Sequence, residues 1–137
     1  MRRGLLLMIP ILVLCAALGL AAQRDDEARK YGSGLAAAPA SARERVNPYE
    51  GKPEAVRAGH KLFERYCEEC HGAGTRANRK APALDSGKIG KAPPGDLFWI
   101  MTNGDLRAGM PSWSRLPEAQ RWQIVSYIKT LHKPEAR

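Results

Sequence analysis

Apolar side chains recur every three or four residues in two stretches of the chain, and each stretch predicts an α-helix. The first stretch leads up to Cys67 and contains Ala55, Val56, Gly59, Leu62, Phe63 and Tyr66. Pro53 suits the first turn of this helix, where its missing N–H costs nothing. A glycine inside a helix costs about 1 kcal/mol relative to alanine, so Gly59 indicates close approach by another helix.

The second stretch lies near the end of the chain and places four apolar side chains on one helical face: Trp122, Val125, Ile128 and Leu131. Pro117 and Glu118 favour a helix start there. We expect this helix, over about residues 117–132, to cross the first near Gly59 and Phe63, with Tyr127 or Trp122 filling the space. A shorter apolar group at residues 96–103 predicts a further helix that Asn103-Gly104 would end.

The N-terminal segment, residues 1–22, has the pattern of an export signal. Arg2 and Arg3 supply positive charge, residues 5–20 are apolar, and Ala21-Ala22 offers small side chains for cleavage. The alternative is a retained membrane anchor at residues 5–22, because the apolar run approaches the roughly 20 residues that a span requires. Lipidation at Cys15 is disfavoured because Leu14 stands where a small residue is needed.

Residues 23–51 predict a flexible linker. A mixed charge run is followed by a Gly-, Ser-, Ala- and Pro-rich stretch with few large apolar side chains. Such a segment cannot bury enough apolar surface to offset the entropy of ordering. We therefore expect a folded domain at residues 52–133 and a short tail at 134–137. If residues 1–22 are retained, the linker would let the domain swing between partners at the membrane surface.

The sequence Cys67-Glu68-Glu69-Cys70-His71 has the spacing of a c-type haem attachment site. On one helical turn, the Cys67 and Cys70 thiols can reach both vinyl groups of one porphyrin, and His71 can bind the iron. A zinc site would need a second ligand pair, and the chain has one other cysteine, Cys15. A redox dithiol of the thioredoxin type would need alternating strands and helices, which the pattern does not predict.

Met110 is the candidate for the second axial ligand. It stands between Gly109 and Pro111 in an irregular segment, 39 residues after His71 (110 − 71), so the loop can pass over the other haem face. The rival interpretation is a core methionine, the usual role of this residue. Met101 is a competing ligand, but it lies in a helical pattern and is expected in the core.

Two further residues are candidates for contact with the haem or its ligands. A metal-bound histidine usually donates its second ring N–H to a carbonyl or carboxylate, which fixes the ring. The carbonyl of Pro82 is the candidate acceptor for His71. Trp113 either shields the haem edge and hydrogen-bonds a propionate, or packs as an ordinary core residue.

Residues 53–133 resemble a class I monohaem cytochrome c. The resemblance rests on residues 67–71, Ala81-Pro82-Ala83-Leu84, Gly109-Met110-Pro111 and the helix at residues 122–131. It implies an all-α cytochrome c fold, with three to five helices around one covalently bound haem and the first and last helices crossed at right angles. It also implies haem c as the cofactor, with thioethers at Cys67 and Cys70, iron ligation by His71 and Met110, and a Pro82 carbonyl bonded to His71. The basic loop at residues 75–80 departs from the family pattern.

The chain carries a formal charge of +8, and residues 52–133 hold 14 basic and 8 acidic residues, which leaves +6. Cations around an exposed haem edge would steer the protein toward a redox partner with an acidic docking surface. Nucleic acid is not an expected partner of an exported protein. We expect a periplasmic protein, or one on the outer face of the cytoplasmic membrane.

These features predict a carrier of single electrons rather than an enzyme, because two axial ligands leave the iron no position for substrate. Ligation by histidine and methionine raises the reduction potential. One alternative is a haem sensor or peroxidase-like enzyme, if Met110 is not a ligand. Another is a thiol–disulfide oxidoreductase, if Cys67 and Cys70 are free. The sequence leaves open the donor, the acceptor, the value of the potential, and the choice between a free shuttle and a subunit of a dehydrogenase or oxidase complex.

Overall fold

The computed structural model describes residues 32–73 and 81–132 of the chain. The predicted signal or anchor at residues 1–22, the first part of the predicted linker, the whole basic loop at residues 75–80 and the tail lie outside these residues. Within the described part, no helix is long and apolar enough to span a membrane.

The described residues form seven α-helical segments and no β-strand, which agrees with the all-α prediction. The segments are α1 (Gly32–Ala36), α2 (Ala40–Arg43), α3 (Pro53–Tyr66), α4 (Glu68–His71), α5 (Gly87–Lys91), α6 (Pro94–Asn103) and α7 (Glu118–Leu131). A 3₁₀ helix at Leu106–Ala108 follows α6. Three of the α-helices have ten or more residues, and the others are turns of four or five residues. The turn α5 lies in the Gly- and Pro-rich stretch at residues 85–94, whose composition favours a loop.

Helices α3 and α7 cross where the sequence predicts. A Cβ atom at Gly59 would overlap the carbonyl group of Gln123, so the two backbones meet at this glycine. The rings of Phe63 and Tyr127 lie beside the crossing, with centroids 5.2 Å apart. The predicted crossing point and the predicted aromatic filler are confirmed.

The core lies between α3, α6 and α7. Phe98 of α6 stacks on Trp122 of α7, with ring centroids 4.0 Å apart and an interplanar angle of 21°. Val125 is fully buried, and Met101 is 4% exposed, as predicted for a core methionine. Lys129 of α7 donates to the Ala92 carbonyl at 2.9 Å, which holds the end of α5 against α7.

Residues 32–51 differ from the predicted flexible linker. Helices α1 and α2 contact α6, and the side chain of Asn47 is buried and donates to Ser126 Oγ at 2.9 Å. Arg45 donates to Glu118 Oε1 at 2.5 Å. Polar contacts hold this segment together with two isolated apolar side chains, Leu35 and Tyr49, which pack on the core without forming a periodic pattern. The domain boundaries at residues 52 and 133 stay predictions.

Candidate haem-binding site

The motif Cys67–His71 continues the helical hydrogen bonding of α3 through a slight irregularity. The Cys67 N–H donates to the Phe63 carbonyl at 2.8 Å, and the His71 N–H donates to the Cys67 carbonyl at 3.0 Å. Cys67 itself departs from helical geometry, with φ −122° and ψ −30°, and separates α3 from α4. The two thiols and the imidazole therefore lie within the single helical turn that the His71–Cys67 hydrogen bond closes.

The two cysteines have different surroundings. Cys67 is half-buried and contacts the core, whereas Cys70 is exposed. Burial, together with a smaller effect of the neighbouring Cys70, raises the pKa of the Cys67 thiol to about 12. A catalytic dithiol needs a thiolate with a lowered pKa, so the environment of Cys67 disfavours the oxidoreductase alternative.

His71 makes the contact that the sequence predicts. Its Nδ1 atom lies 3.1 Å from the carbonyl oxygen of Pro82. A carbonyl can only accept, so Nδ1 carries the hydrogen and the lone pair of Nε2 is left for a metal. Burial lowers the pKa of His71, and the hydrogen bond to Pro82 partly opposes that effect. The imidazole is thus held in the neutral form that binds metal.

Met110 lies in a turn between α6 and α7 that backbone hydrogen bonds close. Its N–H donates to the Asp105 carbonyl and its carbonyl accepts from the Asp105 N–H, both at 2.9 Å. The chain reverses between these residues through the 3₁₀ helix and Gly109, which has a φ of 82°. Met110 is half-buried, and it is not among the half-buried side chains that contact the described core.

Trp113 connects the Met110 turn to the cysteine motif. Its N–H donates to the Met101 carbonyl at 3.0 Å. Its ring lies 5.4 Å, between centroids, from the ring of Tyr66, the residue directly before Cys67. The Arg115 guanidinium lies 4.9 Å from the centroid of the Trp113 ring. The structure therefore assigns Trp113 a packing role between the two segments, and its contact with a haem stays a prediction.

The described contacts bring some of the predicted residues together and leave others apart. Cys67, Cys70 and His71 share one turn, and Pro82 reaches His71. The placement of Met110 and His71 on opposite sides of an iron stays a prediction.

Two residues near the site are absent from the sequence-based set. Tyr66 packs against Trp113, and its position before Cys67 was the available signal. Asp105 pairs with Met110 through its backbone and accepts from the Ala108 N–H through its carboxylate, at 3.3 Å. The preference of aspartate for the first position of a helical turn could have indicated this role.

A comparison with family models gives one match, to cytochrome c oxidase, cbb3-type, subunit III, over residues 54–128. The chain belongs to this family. The match covers more than half of the 137 residues. It includes the cysteine motif, Pro82, Met110 and Trp113, and it ends within α7. A search of curated proteins found no match.

Membership of this family confirms the resemblance to c-type cytochromes and the all-α cytochrome c fold. It makes the chain a haem-binding cytochrome domain that serves electron transfer, on its own or within an oxidase. The donor set fits the cofactor, because two thiols and a neutral imidazole with a free Nε2 atom occupy one turn beside the core.

Proposed function

We propose that this protein is an exported monohaem c-type cytochrome that carries single electrons, with its iron bound by His71 and Met110. The observation that carries the proposal is the hydrogen bond between His71 and the Pro82 carbonyl, because His71 lies on the same turn as both thiols. It fixes the tautomer and the orientation that an axial ligand needs.

Cys67 and Cys70 would hold the haem covalently. Each thiol would be joined to the porphyrin by a thioether, formed when its S–H adds across a vinyl double bond: the sulfur bonds to one carbon, the hydrogen passes to the other, and no oxidant is consumed. One attachment motif implies one haem.

Met110 would supply the second axial ligand. A thioether is a soft ligand that favours Fe(II) and raises the potential relative to two imidazoles. The closed turn supports this role because it fixes the Met110 backbone while leaving the side chain outside the described core. A bound haem would supply a one-electron couple, and ligation by His71 and Met110 would leave no axial position for substrate.

The N-terminal pattern and the positive charge support an exported protein with a redox partner that presents an acidic surface. The family name suggests that such a partner belongs to an oxidase complex. Mass determination of the mature protein distinguishes a cleaved signal from a retained anchor. Co-purification from native membranes distinguishes a complex subunit from a free shuttle.

The ligand assignment is tested by spectra of the matured protein. We expect its mass to include one haem and its ferric form to be low-spin, with the charge-transfer band of a methionine–iron bond. Met110→Leu, which removes the sulfur, should abolish that band and lower the potential. Met101→Leu is the matched control and should retain both. A band that persists in Met110→Leu would contradict the assignment.

A high-spin ferric spectrum in the unaltered protein would instead favour a haem sensor or peroxidase-like enzyme. In that case the sixth position would be open to exogenous ligands, and Met110→Leu would leave the spectrum unchanged.

A further inference from the structure

The carboxylate of Asp105 joins two segments that are distant in sequence. Its Oδ1 atom accepts from the Ala108 N–H at 3.3 Å, across the 3₁₀ helix. Its Oδ2 atom accepts from the Gly34 N–H at 2.9 Å. The backbone of the same residue forms both hydrogen bonds to Met110. Through its side chain and its backbone together, Asp105 thus connects the N-terminal segment, the turn and the candidate ligand.

Residues 34–52, here named the N-terminal strap, are themselves fixed at several points. Arg43 donates to the buried Asp96 at 3.3 Å. The Arg45 guanidinium lies 4.4 Å from the Phe98 ring centroid and is paired with Glu118. Asn47 is bonded to Ser126. The strap therefore presents the Gly34 N–H from an anchored segment.

The approach of the strap to Asp105 depends on the absence of a side chain at residue 34. A Cβ atom at Gly34 would overlap the Ile100 side chain and lie 3.0 Å from Asp105 Cβ. A larger residue would displace the N–H from the carboxylate. Substitution of Gly34 therefore disturbs the hydrogen bond between the Gly34 N–H and Asp105 without changing Asp105 itself.

We propose that Asp105 is a positioning residue for Met110 and that the N-terminal strap reinforces it through the Gly34 N–H. The inference rests on the proposed role of Met110 as a ligand. Without the carboxylate, the turn would sample more conformations and the effective concentration of the thioether at the iron would fall. A competing ligand would then displace Met110 more easily.

The test is an optical titration of the ferric holoprotein with imidazole, which competes for the sixth position. Asp105→Ala should bind imidazole about tenfold more tightly than the unaltered protein, since hydrogen bonds to a charged group contribute about 1.5–3 kcal/mol and 1.4 kcal/mol is tenfold. Asp105→Asn keeps one acceptor oxygen and should show a smaller change. Gly34→Val should show a change in the same direction, of about threefold.

Val125→Ala is the control, because it removes buried side-chain volume from α7 and changes neither Asp105 nor the strap. It should lower the free energy of unfolding while leaving imidazole affinity within about twofold of the unaltered protein. If Val125→Ala and Asp105→Ala change the affinity equally, the effect is general destabilisation and the positioning role is wrong.

The two proposals fail in different ways. If the unaltered ferric protein lacks the methionine–iron band, the ligand assignment fails and the positioning role fails with it. If the band is present and Asp105→Ala, Asp105→Asn and Gly34→Val all bind imidazole as the unaltered protein does, the positioning role alone is overturned. Faster amide hydrogen exchange at Met110 in Asp105→Asn than in the unaltered protein would independently support the positioning role of Asp105.

Discussion

Helix α4 and the Met110 turn hold the two candidate iron ligands by different kinds of contact. His71 follows its cysteines on one turn, and its N–H donates to the Cys67 carbonyl, four residues earlier. One side-chain contact, to Pro82, then sets the ring. Met110 depends on Asp105 for both backbone bonds, and Asp105 in turn contacts Gly34, 71 residues earlier.

The difference teaches that the two ligands have different sources of stability. The His71 side depends on the apolar contact of α3 with α7, because α4 extends directly from α3. The Met110 side depends on hydrogen bonds and on charged groups of the strap. Four predictions separate these sources, from the largest effect to the smallest.

Removal of the covalent attachment should have the largest effect. A module of some 80 residues has a thin core, and the porphyrin would supply much of its buried apolar surface. Cys67→Ala/Cys70→Ala should therefore lose most of its helix content, measured by circular dichroism. Helix content equal to that of the unaltered holoprotein would show that the polypeptide core is sufficient.

The α3–α7 contact should be the next most sensitive. In Gly59→Ala, the new methyl group would overlap the Gln123 carbonyl, and we expect a loss of about 3 kcal/mol in the free energy of unfolding, at the upper end of typical overpacking costs. Gly87→Ala is the matched control. Its Cβ would meet His132 at an ordinary 3.7 Å, so denaturant titration should show no loss.

The Met110 turn should tolerate a side chain at Gly109 better than at Gly104. Gly109 lies in the left-handed region, with φ 82° and ψ 9°, where alanine costs about 1–2 kcal/mol. Gly104, with φ 74° and ψ −178°, lies in a region that is essentially restricted to glycine, at a cost of about 1–3 kcal/mol. A Cβ at Gly104 would also lie 2.7 Å from the Met110 carbonyl oxygen, whereas nothing lies within 4 Å at Gly109. Gly104→Ala should therefore destabilise more than Gly109→Ala and shift the methionine–iron band. Equal losses would show that the backbone around Gly104 and Met110 yields freely.

The contribution of Glu118 to the stability of the fold should be lost in acid. The pKa of Glu118 is lowered from its ordinary value of 4.5, chiefly by the hydrogen bond from Trp122 and also by Arg45. A lowered carboxyl pKa gives stability that is present above the unfolded value and is lost as pH falls through the folded value. The unaltered protein should lose this contribution below about pH 4.5.

Glu118→Gln should remove that part of the pH dependence, as followed by thermal unfolding across the acid range. Trp122→Phe keeps an aromatic ring beside Phe98 but removes the N–H donor, so it should weaken the acid response in the same direction. If Glu118→Gln shows the same slope of stability with pH as the unaltered protein, Glu118 does not fix the strap.

Much of the His71 side was predictable from the sequence. The spacing of Cys67, Cys70 and His71 is a local pattern, and the apolar period before it predicts α3. Gly59 predicts the crossing with α7 because a mid-helix glycine is costly without a close contact. Pro82 was predictable from the need of a ligating histidine for a second partner, and the contact is present at 3.1 Å.

The strap was not predictable in the same way. Its composition lacks the large apolar side chains that predict packing, so residues 23–51 were expected to be flexible. Asn47 instead reaches Ser126, and Arg45 lies over Phe98. Such contacts depend on the other elements already being in place, and no periodic pattern of apolar residues predicts them.

The sequence by itself determined the three longest described helices, the attachment motif, the family and the residue types that can bind iron, because these depend on neighbours within a few positions. The tertiary structure decided that Asp105 joins Met110 to Gly34, that Trp113 packs on Tyr66 and that residues 32–51 lie against α6 and α7. These contacts arise between segments far apart in the chain. Their free energy exists only when the fold brings both partners together.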